Sequence, residues 1–355
     1  MENKNIKVGI IGATGYGGIG LIELLINHPF ATIEALMDKY NIGKSISEIY
    51  PHLRGFCDLP ILDVSDANCP DDFDVVFYAT PDGVGQKDAR KRLQKNIKVI
   101  DYSGDFRFSD QDSYALYAER IGKPTKHVDP DLLPSSTYGL PELYREKIAV
   151  SNLVGNPGCF AASCIIGIAP ALKSGLVDTD DIIFDAKSGV SGAGKIPSPT
   201  SHFPARHESM NAYKVTNHQH VYEIERELTI LCDKKVEITF TPHVVPISRG
   251  IISTIYANTL SKVDMGILRG AYDNMYSKEP FIRVFSQGEI LSTSDVRCSN
   301  FCNISLNLDP RTGKLIVLSV IDNLLKGQAG NALQNMNIMM GIQETAGLMN
   351  PGKFP

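Results

Sequence analysis

No apolar run in this chain approaches the roughly 20 residues that a membrane-crossing helix needs, so a bilayer is not its setting. There is no surplus of positive charge. With 35 Lys and Arg against 40 Asp and Glu the net charge is −5, which argues against nucleic acid as a partner. Cysteine is sparse: seven residues, at 57, 69, 159, 164, 232, 298 and 302. An odd number spread over a long chain is not a disulfide framework and suits a reducing cytoplasm. Cys298 and Cys302 have neither a second pair nor a nearby histidine, so they read as plain thiols rather than zinc ligands, and no metal is expected. The start, Met1-Glu2-Asn3-Lys4-Asn5, is polar and leads directly into a strand, without the apolar core and cleavage site of a signal peptide. Internal repeats and low-complexity tracts are also missing. What remains is an ordinary globular composition, 43% hydrophobic and 21% charged. At 355 residues the chain is too long for one compact core, which implies two domains.

The first domain announces itself at once. Ile6 to Ile11 reads as a buried parallel strand and runs into Gly12-Ala13-Thr14-Gly15-Tyr16-Gly17-Gly18, after which Ile19, Ile22, Leu25 and Ile26 share one helix face. Strand, glycine turn and helix together form the setting of a dinucleotide site, in which backbone N–H groups approach a pyrophosphate at the helix N-terminus. The expected contacts are Gly12, Thr14, Gly15, Tyr16 and Gly17. A second strand, Thr32 to Met37, ends at Asp38-Lys39. An acidic residue there suits the ribose hydroxyls of NAD and a cation suits the 2′-phosphate of NADP, so this pair leaves the choice open. Further strands at Phe73 to Ala79 and Ile97 to Tyr102, with a helix over Val84 to Gln94 between them, continue a doubly wound Rossmann sheet. Ligands bind at the carboxyl ends of such strands, which puts Thr80 and Ser103 on the same rim. Residues 105–150 read as loops with short helices, and a strand near Ala149 to Leu153 is expected to feed the next turn.

That turn, Asn156-Pro157-Gly158-Cys159, delivers a cysteine to the start of an uncharged apolar run, Phe160 to Ala171. At a helix N-terminus the macrodipole and the unpaired N–H groups favour the thiolate, which is the nucleophilic form. The bland alternative is a small buried core residue. Beyond it the pattern changes to an α+β domain with a large, mostly antiparallel sheet. Its strands are Asp181 to Lys187, Val236 to Phe240, Ile251 to Ala257 and Phe281 to Phe285, with a hairpin from Asn303 to Ile321 and a helix over Asp264 to Tyr276. Such a sheet face often covers a partner subunit, so a homodimer or homotetramer is expected. The Ser188-to-Lys195 loop is rich in glycine and serine and suits an anion, although its spacing is not that of a P-loop. His220 opens a helix with Val221, Ile224, Leu228 and Leu231 on one face, and the dipole there keeps its imidazole neutral and able to take a proton. A final helix, Gln328 to Gln343, is expected to return to the first domain. The expected division is therefore 1–155 with 327–355 for the dinucleotide, and 156–326 for catalysis and dimerisation.

A nucleotide domain, a helix-terminal cysteine and a helix-terminal histidine suggest one chemistry. The thiolate attacks an activated acyl carbon, a nicotinamide reduces the thioester, and the histidine carries the protons. Two other classes stay open at this level. A Cys–His acyl transferase or hydrolase needs no nicotinamide, against which the Gly12-to-Gly18 loop argues. A non-catalytic nucleotide sensor has no need of Cys159 and His220.

Several segments carry a resemblance over nearly the whole chain. They are the glycine loop, Tyr50-Pro51-His52-Leu53-Arg54-Gly55, Ser103-Gly104-Asp105-Phe106-Arg107 and Tyr138 to Leu143. Further on come Asn156 to Phe160, Ser188 to Lys195, His218-Gln219-His220, Thr241 to Gly250, Asp322-Asn323 and Gln334 to Asn337. Together they resemble the N-acetyl-γ-glutamyl-phosphate reductase family, in the aspartate-semialdehyde-dehydrogenase-like superfamily. The resemblance implies NADPH-dependent reduction of a small acyl phosphate to a semialdehyde in arginine biosynthesis. It implies Cys159 as nucleophile, His220 as general acid/base, Ser188, Gly189 and Asn323 near the nicotinamide, and Arg107, Asn156 and Arg249 toward the substrate. The chain departs from the family at Ala162, Tyr222, Thr80-Pro81-Asp82 and Ala205-Arg206-His207-Glu208. The basic Arg206-His207 leaves room for a longer or more acidic aminoadipyl phosphate, free or on a carrier protein, as an alternative substrate.

Overall fold

A computed structural model describes residues 5–66, 69–260 and 263–353; the polar start at Met1 to Lys4 lies outside them. The chain divides into two compact units. Unit 1 comprises Met1–Ala118, Pro124–Pro157 and Gln328–Met349; unit 2 comprises Glu119–Lys123, Gly158–Gly327 and Asn350–Pro355. Glu119–Lys123 and residues 350–353 group with unit 2.

Unit 1 is built on a seven-stranded sheet of β1 (Ile6–Ile11), β2 (Ala31–Asp38), β3 (Ile61–Asp63), β4 (Val75–Tyr78), β5 (Lys98–Asp101), β6 (Thr137–Tyr138) and β7 (Leu153–Gly155). The order is β3-β2-β1-β4-β5-β7-β6 and every pair is parallel. Strands buried on both faces need continuous apolar runs, and β4, Val-Val-Phe-Tyr, is buried at all four positions. The strand order reverses beside β1, which is where a doubly wound sheet opens a ligand crevice. The helices are α1 (Tyr16–Leu25), α2 (Ile46–Ile49), α3 (Gly85–Gln94), α4 (Gln111–Arg120, whose last two residues group with unit 2) and α5 (Pro141–Val150), and α10 (Gly330–Met339) packs on α1 and α5. The strand expected at Ala149 to Leu153 is a correction. Pro141 at the first turn opens a helical stretch, kinked at Tyr144, that ends at Val150, and only Leu153–Gly155 pairs in the sheet.

Unit 2 holds β8 (Ile182–Gly189), β9 (Asn211–Ala212), β10 (Ile238–Val245), β11 (Ile251–Asn258), β12 (Ile282–Val284), β13 (Cys302–Leu308) and β14 (Lys314–Ile321). The order is β12-β13-β14-β11-β8-β10-β9. Four pairings are antiparallel and two, β8–β10 and β12–β13, are parallel. Helices α6 (Cys159–Lys173), α7 (Phe203–Arg206), α8 (His220–Cys232) and α9 (Met265–Tyr276) complete it. The α6 helix packs on β11, β14, α8 and α9, and Phe160 to Leu172 are all buried. The other sheet face is only partly covered, at Ile183, Asp185, Thr254 and Tyr256 among others. Residues 325–329 form a π-helical turn ahead of α10, where one unbroken helix from Gln328 is expected. No helix among the described residues is long and apolar enough to cross a membrane.

Inside α6, Pro170 has no N–H to give the Ile166 carbonyl. Tyr276 on α9 supplies the missing donor, its hydroxyl giving a 2.7 Å hydrogen bond to Ile166 O, while Tyr272 donates to Gly167 O at 2.6 Å. Two phenols thus repair the helix that begins with Cys159. Tyr276→Phe should leave a buried carbonyl without its donor and destabilise the protein by about 1–3 kcal/mol in urea denaturation. An unchanged midpoint would show that α6 tolerates the loss.

Candidate active site

The predicted machinery is divided between the units. In unit 1 the glycine loop follows β1. Gly12 has φ of +83°, and a Cβ there would lie 2.4 Å from the Ala79 carbonyl oxygen, so only glycine fits. A Cβ at Gly18 would meet Gly12 O at 2.4 Å, whereas Gly15 faces nothing closer than 3.5 Å. Gly15 is the N-cap of α1, which has no side-chain cap and no acidic residue in its first turn. The donors at that terminus, Tyr16 and Gly17 included, thus have no local carboxylate to satisfy them. Gly17 packs close to Tyr102 and Gln328, at 3.2 and 3.1 Å from the position of a Cβ. Three buried polar atoms beside the loop, Thr80 Oγ1, Tyr102 OH and Gln328 Oε1, have no hydrogen-bond partner among the described residues. A glycine cradle, an uncapped helix and orphaned polar atoms fit a dinucleotide pyrophosphate.

Asp38 is bonded within the loop. Its Oδ2 accepts from Thr14 N (3.1 Å) and Thr14 Oγ1 (2.7 Å), and its Oδ1 from Lys39 N (2.7 Å). The carboxylate braces the glycine loop, and the neighbouring Lys39 is exposed. Ser103 is also turned inward, its hydroxyl bonded to Asp101. Burial, then the neighbouring Asp105 carboxylate, pushes the Asp101 carboxyl well above the usual range. Asp101 takes the space a side chain at Gly85 would fill.

Two of the expected substrate residues have other partners. Arg107 is 7% exposed and donates from Nε to Asn156 O (2.8 Å) and from Nη2 to Tyr102 O (2.7 Å). Asn156 is 1% exposed, donates to Gln328 O (3.1 Å), and accepts from Asn331 (2.8 Å) and Asn335 (3.1 Å). Both shape the end of unit 1 from within.

In unit 2, Cys159 and His220 are each the first residue of a helix, α6 and α8. Neither helix has a cap from its N-cap side chain. A Cβ on Gly158, the residue before the cysteine, would lie 2.2 Å from His220 Nε2. Only a glycine lets the imidazole come this close to the chain that carries the nucleophile. On the other flank, a Cβ at Gly327 would lie 2.7 Å from Cys159 Cβ, so the π-helical turn also packs directly on the cysteine. Asp322 shapes that turn. Its buried carboxylate accepts from Leu324 N (2.8 Å), Leu325 N (3.1 Å) and Cys298 N (2.7 Å), and lies 3.1 Å from Arg249 Nε.

Asn323 accepts from Gly250 N (2.7 Å) and donates to Ser191 Oγ (3.0 Å). Gly189 N donates to Gly250 O (2.9 Å), and Ser188 is buried with its hydroxyl on Gly189 O. The predicted Ser188, Gly189, Arg249 and Asn323 therefore converge on one loop cluster. Arg206 does not join it. Its guanidinium is buried and bonded to Thr200 O, Ser209 O, Val244 O and Asn211, as a staple of its own loop, while His207 lies exposed against Phe203. Arg206 is thus bonded within its own loop. Among the described residues no cluster of three metal-ligating side chains occurs.

Sequence reasoning missed the surroundings of the pair. His218 Nδ1 accepts the His220 N–H (3.2 Å), and its ring packs against Phe160, Tyr213, His220 and Phe240. Burial first, then the charges of His220, Lys214 and Arg120, push His218 down to about 2, so it stays neutral as an acceptor. Glu223, one turn on from His220, is buried and accepts from Gly158 N at 2.8 Å. An acidic residue in the first turn of a helix that opens on the base was the available signal.

Two family models match the chain: semialdehyde dehydrogenase, NAD binding domain, over residues 7–151, and semialdehyde dehydrogenase, dimerisation domain, over 159–323. The N-acetyl-gamma-glutamyl-phosphate reductase of Bacillus cereus (strain B4264) is 44% identical over 97% of this chain and 99% of its own. The chain belongs to the N-acetyl-γ-glutamyl-phosphate reductase family. A further family member so named, from Geobacter sp. (strain M21), is 42% identical over 99% of this chain and all of its own. Among solved structures, aspartate semialdehyde dehydrogenase II from Vibrio cholerae superposes with TM-score 0.72 at 16% identity, over 95% of this chain and 99% of that one. The Candida albicans aspartate semialdehyde dehydrogenase with NADP gives 0.69 at 14% identity, again over 95% and 99%. At these identities the likeness is one of fold, and it confirms a Rossmann-type sheet beside a mixed-sheet domain.

A histidine held neutral when folded but free to protonate when unfolded makes stability fall with pH below about 6.5. His218 contributes to that acid limb together with His28 and His127, both lowered by burial. Urea unfolding between about pH 7 and 5 should show the decline, and His218→Asn should flatten it by up to about 1.4 kcal/mol per pH unit. An identical slope in the variant would mean that His218 already protonates in the folded protein.

Proposed function

We propose that this enzyme reduces N-acetyl-γ-glutamyl phosphate to N-acetylglutamate semialdehyde with NADPH, releasing phosphate, through a thioester on Cys159. The observation that carries the reading is the meeting of Cys159 and His220 at two helix N-termini across a glycine with no room for a side chain. A chain 44% identical to a reductase of that name supports the substrate.

His220 takes the thiol proton of Cys159, and the sulfur attacks the acyl carbon. The carbon–oxygen bond to phosphate breaks, phosphate leaves with the electron pair, and a thioester remains. The α6 N-terminus stabilises the negative charge that builds on the acyl oxygen. When bound, the reduced nicotinamide supplies the hydride that this thioester accepts. His220 then returns a proton to the departing sulfur as the carbonyl re-forms, which restores the thiol. Arg249, held by Asp322, is the cation we assign to the anionic groups of the substrate. Arg107 and Asn156, whose polar atoms are satisfied within unit 1, are assigned to shaping rather than to contact. Ser188, Gly189 and Asn323 form the loop cluster we assign to the nicotinamide end.

We assign NADPH over NADH because Asp38 is tied to Thr14 and Lys39 N while the Lys39 ammonium is exposed for a 2′-phosphate. A second copy is proposed to cover the open sheet face of unit 2, giving a homodimer or a homotetramer. The described cysteines form no disulfide, which suits the cytoplasm.

The reverse assay, with N-acetylglutamate semialdehyde, phosphate and NADP, should show turnover that Cys159→Ala lowers by about 10⁴-fold or more. Turnover retained by that variant, or a preference for the aminoadipate semialdehyde, would refute the assignment. Lys39→Ala should raise the KM for NADPH by about tenfold and leave that for NADH unchanged; equal effects on both would remove Lys39 from 2′-phosphate recognition.

A further inference from the structure

The segment that leads into α8 contains a strained turn. Residues 214–217 close it with the Asn217 N–H on Lys214 O at 2.9 Å. Its third residue, Thr216, has φ of +62°, in the left-handed region that such turns ordinarily give to glycine or asparagine. For a residue branched at Cβ that conformation is an outlier, and it persists only where neighbours hold it. Thr216 is exposed, so burial does not hold it. Arg120 does. Its Nη1 donates to Thr216 O at 2.9 Å, and its guanidinium lies over the Tyr222 ring, 4.5 Å from the centroid. All three residues belong to unit 2. Thr216 precedes His218-Gln219-His220, and Tyr222 follows in the first turn of α8, so one cation grips the chain on both sides of the histidines.

We propose that Arg120 is a positioning residue, which pins this turn to the first turn of α8 and so fixes where His220 stands relative to Cys159. The displacement it prevents has a short path to the base. If Thr216 relaxed to a negative φ, the chain would change direction two residues before His218. His218 Nδ1 and O accept the N–H groups of His220 and Val221, each at 3.2 Å, so His220 follows His218. The imidazole already stands where a Gly158 Cβ would be, and a small shift alters its approach to the cysteine. Arginine suits the double grip, because a planar guanidinium stacks on an aromatic face while its edge N–H groups point at a carbonyl. Lys214, itself at φ of +44°, adds a second tie through its ammonium on Gln219 Oε1 at 3.0 Å. The inference rests on Cys159 and His220 being the reacting pair.

The test uses the full-length enzyme carrying Arg120→Ala, Thr216→Gly or both, with kcat and the KM for NADP read in the reverse assay. Arg120→Ala should lower kcat about tenfold and leave the KM for NADP within about twofold. Thr216→Gly alone should leave kcat within about twofold, since glycine takes the left-handed conformation without help. For the same reason the double variant should regain most of the turnover that Arg120→Ala loses. A merely structural arginine predicts no such recovery, because the added glycine frees the unfolded chain and lowers stability further. Wild-type kcat in Arg120→Ala, a double variant no faster than Arg120→Ala, or an equal loss in Thr216→Gly alone overturns the proposal. Should Arg120→Ala fail to fold, Arg120→Met, which keeps the aliphatic stem and drops the donors, takes its place with the same expectations. Cys159→Ala run alongside separates the two readings, because turnover retained there condemns the nucleophile assignment rather than the grip of Arg120.

Discussion

The chemistry of unit 2 depends on one steric constraint: Gly158 must have no side chain. An imidazole nitrogen occupies the place its Cβ would take, and the next residue is the nucleophile. Everything around that point serves to bring two helix ends together and hold them there. The α6 helix is buried along nearly its whole length against a sheet and two helices, and the carbonyl freed by its internal proline is satisfied by a tyrosine from α9. A helix so enclosed has little freedom to shift, so its first residue is fixed by packing along fifteen residues rather than by local contacts alone.

Much of the polar inventory near the site is spent on backbone. Asp322 accepts three backbone N–H groups, Asn323 and Gly250 knit two loops together, Asn331 and Asn335 converge on Asn156, and Arg206 closes its own loop through carbonyl oxygens. These loops run through buried territory, where each unmet donor or acceptor is costly. Polar side chains meet that demand without touching a ligand, which is why a run of charged and amide residues overstates the number of binding groups.

The sequence was most legible where a local pattern determines the structure. A strand running into Gly12 to Gly18 and then an apolar helix has few alternatives, and β1 and α1 follow it closely. The hairpin ending at Lys314–Ile321 and the helices opening at Cys159 and His220 are equally local. Legibility failed where the deciding partner is distant in the chain. Ala149 and Val150 are expected in a strand but lie in the helical segment that follows the kink at Tyr144. Asp38 also bonds Thr14 across 24 positions, a brace of the glycine loop that the local pattern does not show. Glu223 meets Gly158 across 65 positions, a separation that no window of sequence reports.

The helix ends themselves show how the chain separates structure from chemistry. The α2 helix carries a full capping box at Ser45 and Glu48, and α9 is capped by Asp264 through Ile267 N. Asp105 reaches back to the first turn of α3 through Gln86 N, and α5 opens with a proline that has no N–H to satisfy. The α1 and α6 helices begin instead with glycine at the N-cap, with no side-chain cap and no acidic residue in the first turn. A cap on either would add about 1 kcal/mol of stability. It would also fill, with a fixed carboxylate or hydroxyl, the space in which a diphosphate or a developing oxyanion gains most from the helix field. The α1 end thus carries no cap of its own, and the α6 end is braced from outside its own first turn, by Glu223 on the Gly158 N–H, which keeps the first-turn donors of both helices clear of their own side chains.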